Sequence, residues 1–179
     1  MSSSFEMPEV DHLTTGAIGP PGQRVFYLQA GNQGQIVSVR LEKAQVAALV
    51  AYLAGMLADM PPAGDLPPGD LPPGDTGPGE PALEGMDLIE PIVAEWVVGS
   101  LGVSYDEGAD RVVLMVEEMV EEGDEAARVR ITATREQIAA LASRGVEEVA
   151  AGRPPCPLCG QPLDPEGHTC ARLNGHRPR

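Results

Sequence analysis

Ile131-Thr132-Ala133-Thr134-Arg135-Glu136-Gln137-Ile138-Ala139-Ala140-Leu141 reads as the end of a strand running into a helix, and this stretch decides the fold. Its first residues are β-formers. Thr134 is a good N-cap, and Gln137 three places on closes a capping box before an apolar helical face begins. The helix is expected from about Arg135 to Ala151, loosened at Gly145 and stopped by Gly152 and Pro154. The same passage from strand to helix stands earlier, in Val39-Arg40-Leu41-Glu42-Lys43-Ala44-Gln45-Val46-Ala47-Ala48-Leu49.

Working outward, the correspondence continues on the N-terminal side of both stretches. Val97-Val98-Gly99-Ser100-Leu101-Gly102 answers Thr14-Thr15-Gly16-Ala17-Ile18-Gly19, and Arg111-Val112-Val113-Leu114-Met115-Val116 answers Arg24-Val25-Phe26-Tyr27-Leu28-Gln29. The spacing between the copies grows along the chain, so the extra residues fall in turns, where insertions cost little. Gln35 to Leu41 alternates as a hairpin partner of the strand before it, and Val46, Leu49, Val50, Leu53 and Leu57 fall at helical spacing. These patterns predict an α+β fold of two tandem β-β-β-α units, over residues 1–60 and 85–152. They are expected to form one mostly antiparallel sheet of six strands, with two helices sharing a core. Residues 61–84, where Gly-Asp-Leu-Pro-Pro comes twice, are too proline-rich for a helix or strand and are expected to be a flexible linker.

The remaining residues, 153–179, hold every cysteine of the protein. Cys156-Pro157-Leu158-Cys159-Gly160 has the form of a metal knuckle, with Gly160 where the turn needs a positive φ. His168 and Cys170 are two apart, so on an extended segment both side chains share a face. The turn-forming residues between the pairs can fold one onto the other. The expected site is therefore Cys3His: Cys156, Cys159, His168 and Cys170, with His176 in reserve. Three thiolates and an imidazole fill a tetrahedron and leave no place for a reacting water, which points to structural zinc. A redox C-x-x-C opens a helix, and Pro154, Pro155 and Pro157 forbid one here.

Acidic side chains outnumber basic ones by 27 to 12, for a formal charge of -15, which argues against a nucleic-acid partner for the body of the protein. Only the tail, with Arg153, Arg172, Arg177 and Arg179, is mildly basic. No apolar run is long enough to cross a bilayer and the start lacks a signal-peptide pattern, so a cytoplasmic protein is expected. The single lysine, Lys43, and the abundance of Ala, Gly, Pro, Val and Arg suggest a GC-rich bacterial genome. Glu117, Glu118, Glu121, Glu122, Asp124 and Glu125 lack the spacing of a calcium loop and are expected to be a solvated acidic hairpin. No nucleophile elbow, Walker loop or dinucleotide fingerprint is present.

Further residues carry a resemblance. Gly19-Pro20-Pro21-Gly22-Gln23-Arg24, Phe26-Tyr27-Leu28-Gln29-Ala30, Leu41-Glu42-Lys43, Gln45-Val46, and Arg153-Pro154-Pro155-Cys156-Pro157-Leu158-Cys159-Gly160 with Gly167-His168 and Asn174-Gly175 resemble an actinobacterial family of uncharacterised proteins. Its members are labelled a repeat protein or a domain of unknown function. The resemblance covers nearly the whole chain, supports the architecture and the metal ligands, and implies no reaction. The expected function is a zinc-binding, non-catalytic interaction or adaptor module that docks another protein. The alternative is an enzyme or enzyme subunit holding a small anionic metabolite between the two repeats, with Arg24 and Arg111 as a paired anion site. A nucleic-acid contact through the basic tail is a weaker alternative.

Overall fold

The computed structural model describes residues 2–60, 86–152, 156–160, 163, 169–170 and 172. In chain order they form β1 (Phe5–Met7), β2 (His12–Ile18), β3 (Val25–Asn32), β4 (Gln35–Leu41), α1 (Lys43–Asp59), β5 (Ala94–Asp106), β6 (Arg111–Glu118), β7 (Arg128–Ala133) and α2 (Arg135–Ala150). The class is α+β, and after β1 the order β-β-β-α occurs twice. The expected linker over 61–84 lies outside the described residues.

The strands make one mixed sheet in the order β1-β7-β6-β5-β4-β3-β2. β2-β3-β4 and β5-β6-β7 are antiparallel meanders, joined by a parallel pairing of β4 with β5. That junction follows from α1, since a strand that returns after a crossover helix runs parallel to its neighbour. Six strands were expected and seven are found. The extra one, β1, pairs in parallel with β7 and is only three residues long, too short for alternation to register in sequence.

The sheet is strongly curved. Laid flat, six strand spacings would separate β1 from β2 by about 29 Å. The chain passes from Met7 to His12 through four residues, a reach of at most about 17 Å. The two edges must therefore turn toward each other, and α2 ties the gap: Gln137 Nε2 donates to Val10 O at 2.7 Å. The same glutamine closes the expected capping box, its Oε1 accepting from Thr134 N at 2.9 Å while Thr134 Oγ1 accepts from Gln137 N at 3.2 Å. Inside the curve, Leu28, Val39, Val98, Val112, Leu114 and Ile131 are buried by Val46, Leu53, Ile138 and Leu141 of the helices.

Gly145 does not loosen α2. It is the point of closest approach, for a Cβ there would lie 2.3 Å from Val50 Cγ1 of α1 and 3.3 Å from Thr15 Cγ2 of β2. Gly55, on the outer side of α1, has nothing within 4 Å of such a Cβ. The same substitution should therefore act with opposite sign at the two sites. Gly55→Ala should stabilise by about 0.5–1 kcal/mol through helix propensity. Gly145→Ala should destabilise by about 1–3 kcal/mol through overpacking. Urea denaturation of both variants checks this, and equal effects would refute the contact.

The other face of β2, β3 and β4 is crossed by the segment that enters β5. Thr14 Oγ1 donates to Met86 O, Leu88 packs against Gly16, and Gln29 bonds to both backbone groups of Ile89. This strap explains why Thr14, Gln29 and Ser38 are buried although they face away from the helices.

Candidate metal centre

Beyond α2 the chain makes the expected knuckle. Gly160 N donates to Cys156 O at 2.8 Å, and Gly160 has φ 73°, the left-handed conformation that favours glycine. The turn aims backbone N–H groups at the first sulfur. The amide of Cys159, then that of Leu158, hold the Cys156 thiol below its ordinary pKa by hydrogen bonding to the thiolate.

Cys170 returns to this turn. The three sulfurs lie within 4.8 Å of one another, Cys156 and Cys170 are buried, and none of the three is in a disulfide. Three thiolates on a tetrahedral zinc with bonds of about 2.3 Å stand about 3.8 Å apart. The triangle needs a contraction of about 1 Å at most to close on an ion. A soft all-sulfur set of this size could hold a metal ion, with one position of a tetrahedron left for a fourth donor. His168, the expected fourth ligand, and His176 lie outside the described residues. Among the described residues no other group of three His, Cys, Asp or Glu side chains converges, the acidic loop after β6 included.

Arg24 and Arg111 do not form a shared anion site. Arg24 Nη1 donates to Glu148 O at 3.3 Å near the end of α2, whereas Arg111 Nη1 donates to Ala109 O and Asp110 O in its own turn. Three strand spacings separate them across the sheet. Along it, Tyr27 is level with Arg40 and Val97, while Arg111 is level with Asp106 at the far end of β5. The two residues are thus offset both across the sheet and along it. Equal places in two similar stretches of sequence are not neighbouring places in a sheet whose two meanders lie side by side.

The structure assembles one cluster that sequence patterns do not signal. Asp110 Oδ1 accepts from Tyr105 OH at 2.7 Å and from Arg135 Nε at 2.6 Å, and Arg135 Nη2 donates to Tyr105 OH at 2.6 Å. The Arg135 guanidinium also lies over the Tyr105 ring, 5.2 Å from its centre. The cluster ties the β5–β6 turn to the first residue of α2. The hydrogen bond to Asp110 raises the Tyr105 phenol, and the bonds from Tyr105 and then Arg135 lower the Asp110 carboxyl. A lowered carboxyl contributes stability above the unfolded carboxylate range and loses it as pH falls through the folded value; a raised phenol contributes below pH of about 10 and loses it above. Asp110 has φ 51°, so Asp110→Gly removes the carboxylate and suits the backbone. In that variant Tyr105 should ionise at lower pH than in the parent, with Arg135 still beside it. Ultraviolet titration against Tyr105→Phe measures this, and an unmoved phenol would contradict the geometry.

Residues 5–170 match the family described as protein of unknown function (DUF3090). The chain belongs to this family. The DUF3090 match spans the sheet, both helices and all three cysteines. No curated protein and no solved structure matches the chain. Among the described residues of this DUF3090 member, no helix is long and apolar enough to cross a membrane.

Proposed function

We propose that this DUF3090 protein is a zinc-binding, non-catalytic interaction module of the cytoplasm. Its C-terminal tail is held by a structural Cys3His site of Cys156, Cys159, His168 and Cys170. The observation that carries the reading is the convergence of the sulfurs of Cys156, Cys159 and Cys170 within 4.8 Å of one another, around a turn whose amides favour thiolate. With the histidine added, the set is closed to water, and a closed set folds a segment and does no chemistry. The partner in this reading is another protein. The repeated β-β-β-α order, with strand-to-helix junctions at Leu41–Lys43 and Ala133–Arg135, supports descent by duplication.

Metal analysis of protein purified under reducing conditions tests the site. About one zinc per chain is expected, lost on prolonged treatment with a strong chelator together with protease resistance of the tail. A preparation free of metal whose tail still resists protease would defeat the proposal.

A further inference from the structure

β5 is much longer than the neighbour on its β4 side. It has 13 residues, but its pairing with β4 uses only Ala94 and Val97, because β4 ends at Leu41 and the chain turns into α1. From Ser100 to Asp106, β5 is paired with β6 on one side and, among the described residues, with no strand on the other. The direction of its backbone groups follows from register. Glu118 N donates to Ala127 O of the segment entering β7, and Met119 N to Val97 O of β5, so odd-numbered residues of β6 face β5. Their partners Ser100, Gly102, Ser104 and Asp106 spend their N–H and C=O groups on β6. The N–H and C=O groups of Leu101, Val103 and Tyr105 are left facing outward. Where this edge begins, Val98 O is capped by Gln45 Nε2 at 3.0 Å.

The side chains of Leu101, Val103 and Tyr105 share the face toward α1 and are half-buried. With Tyr52, Leu49 and Met56 of α1 they line two adjoining hollows of about 510 and 580 Å³, and Tyr52, 57% exposed, lines both. The outer hollow carries Asp59 and Glu107, and no basic residue is among the described residues that line either. Edge strands are normally blunted by lysine or proline. Gly99-Ser100-Leu101-Gly102-Val103-Ser104-Tyr105-Asp106 has neither.

We propose that this edge and the groove beside it take an extended peptide of a partner protein, added to the sheet as a strand next to β5. Outward backbone groups at every second residue ask for main-chain pairing, and apolar hollows on the same face ask for apolar side chains at alternate positions. The carboxylates of Asp59 and Glu107 ask for a lysine or arginine at the end of the peptide that reaches them. A second copy of this chain is a poorer occupant, since it brings another net charge of -15 to an acidic groove. The proposal rests on the interaction-module reading but not on the metal.

The test uses the full-length, metal-replete protein and displayed random peptides as the probe. Enriched peptides should alternate apolar residues, carry lysine or arginine, and slow hydrogen exchange at the amides of Leu101, Val103 and Tyr105. In the free protein those amides should exchange faster than Gly102 and Ser104. Val103→Pro deletes an outward N–H and spares the β5–β6 bonds, so it should weaken the peptides about tenfold. Tyr52→Ala, on an exposed side chain, should weaken them as well and serves if the proline variant does not fold. Peptides that bind both variants as well as the parent would overturn the edge site and leave the interaction module standing. A folded protein that selects no peptide would overturn the edge site. Protection of the three amides in the free protein, lost on dilution, would assign the edge to a second copy and overturn the peptide.

Discussion

Cys156→Ser should take the protein from about one bound zinc per chain to almost none, and should turn the tail into a protease substrate while the sheet stays folded. The reason is the composition of the two parts. The main hydrophobic cluster is built from the strands and helices and contains none of the cysteines. The tail has few apolar side chains to offset its ordering entropy, so under the proposed reading metal binding would supply most of its folding free energy. Serine keeps the size of the side chain and removes the thiolate, which is the ligand zinc prefers. Cys159→Ser and Cys170→Ser should act alike, since the three sulfurs lie within 4.8 Å of one another. His168→Ala distinguishes the fourth position: retained zinc with that variant would require another fourth donor. The measurements are metal content, limited proteolysis of the C-terminus and the main thermal transition. A Cys156→Ser protein that keeps a full complement of zinc would end the metal reading. One whose entire sheet melts would show that the tail is part of the core.

Gln29→Leu should destabilise the fold by about 3–5 kcal/mol, more than most single core substitutions. Gln29 is fully buried, and each hydrogen-bonding atom of its amide is used. Its Oε1 accepts from Ile89 N at 2.7 Å and lies 3.1 Å from His12 Nε2; its Nε2 donates to Ser38 Oγ at 3.0 Å and to Ile89 O at 3.0 Å. Leucine fills the space and leaves a buried hydroxyl and the partly buried N–H and C=O of Ile89 without partners, at about 1–3 kcal/mol each and less where water reaches them. For a chain of this size that shift corresponds to a melting temperature lower by roughly 10 °C. Gln29→Glu should be worse near neutral pH, because a carboxylate cannot donate to Ile89 O and is costly to bury. Thermal melts with hydrogen exchange at the Ile89 amide check the mechanism. A loss under about 1 kcal/mol, with that amide still protected, would mean the strap is held by its apolar contacts alone.

The strap also bears on the reach of sequence reasoning. Gln29 sits in a strand flanked by apolar residues, and nothing within its own hairpin reveals that it will clasp Ile89, 60 residues on. Arg24 and Arg111 teach the complementary lesson. Matching positions in two similar segments suggested a shared site, but the β4–β5 junction sets the segments side by side and the long β5 carries Arg111 away from Arg24. Tyr105, Asp110 and Arg135 meet because a turn and a helix start are brought together by the sheet, which no local pattern announces.

What the amino-acid sequence determined by itself is everything governed by neighbours a few residues away. That includes the strand-to-helix junctions, the Thr134–Gln137 capping box, the apolar faces of both helices and a cysteine turn with glycine at its positive φ. These are decided by periodicity, side-chain capping and backbone sterics, which act within one turn or one hairpin. Tertiary structure alone decided the curvature that brings β1 near β2, the glycine contact of α2, the buried amide under the strap and the open side of β5. Each depends on where surfaces distant along the chain come to rest, and that is settled by packing the whole core at once.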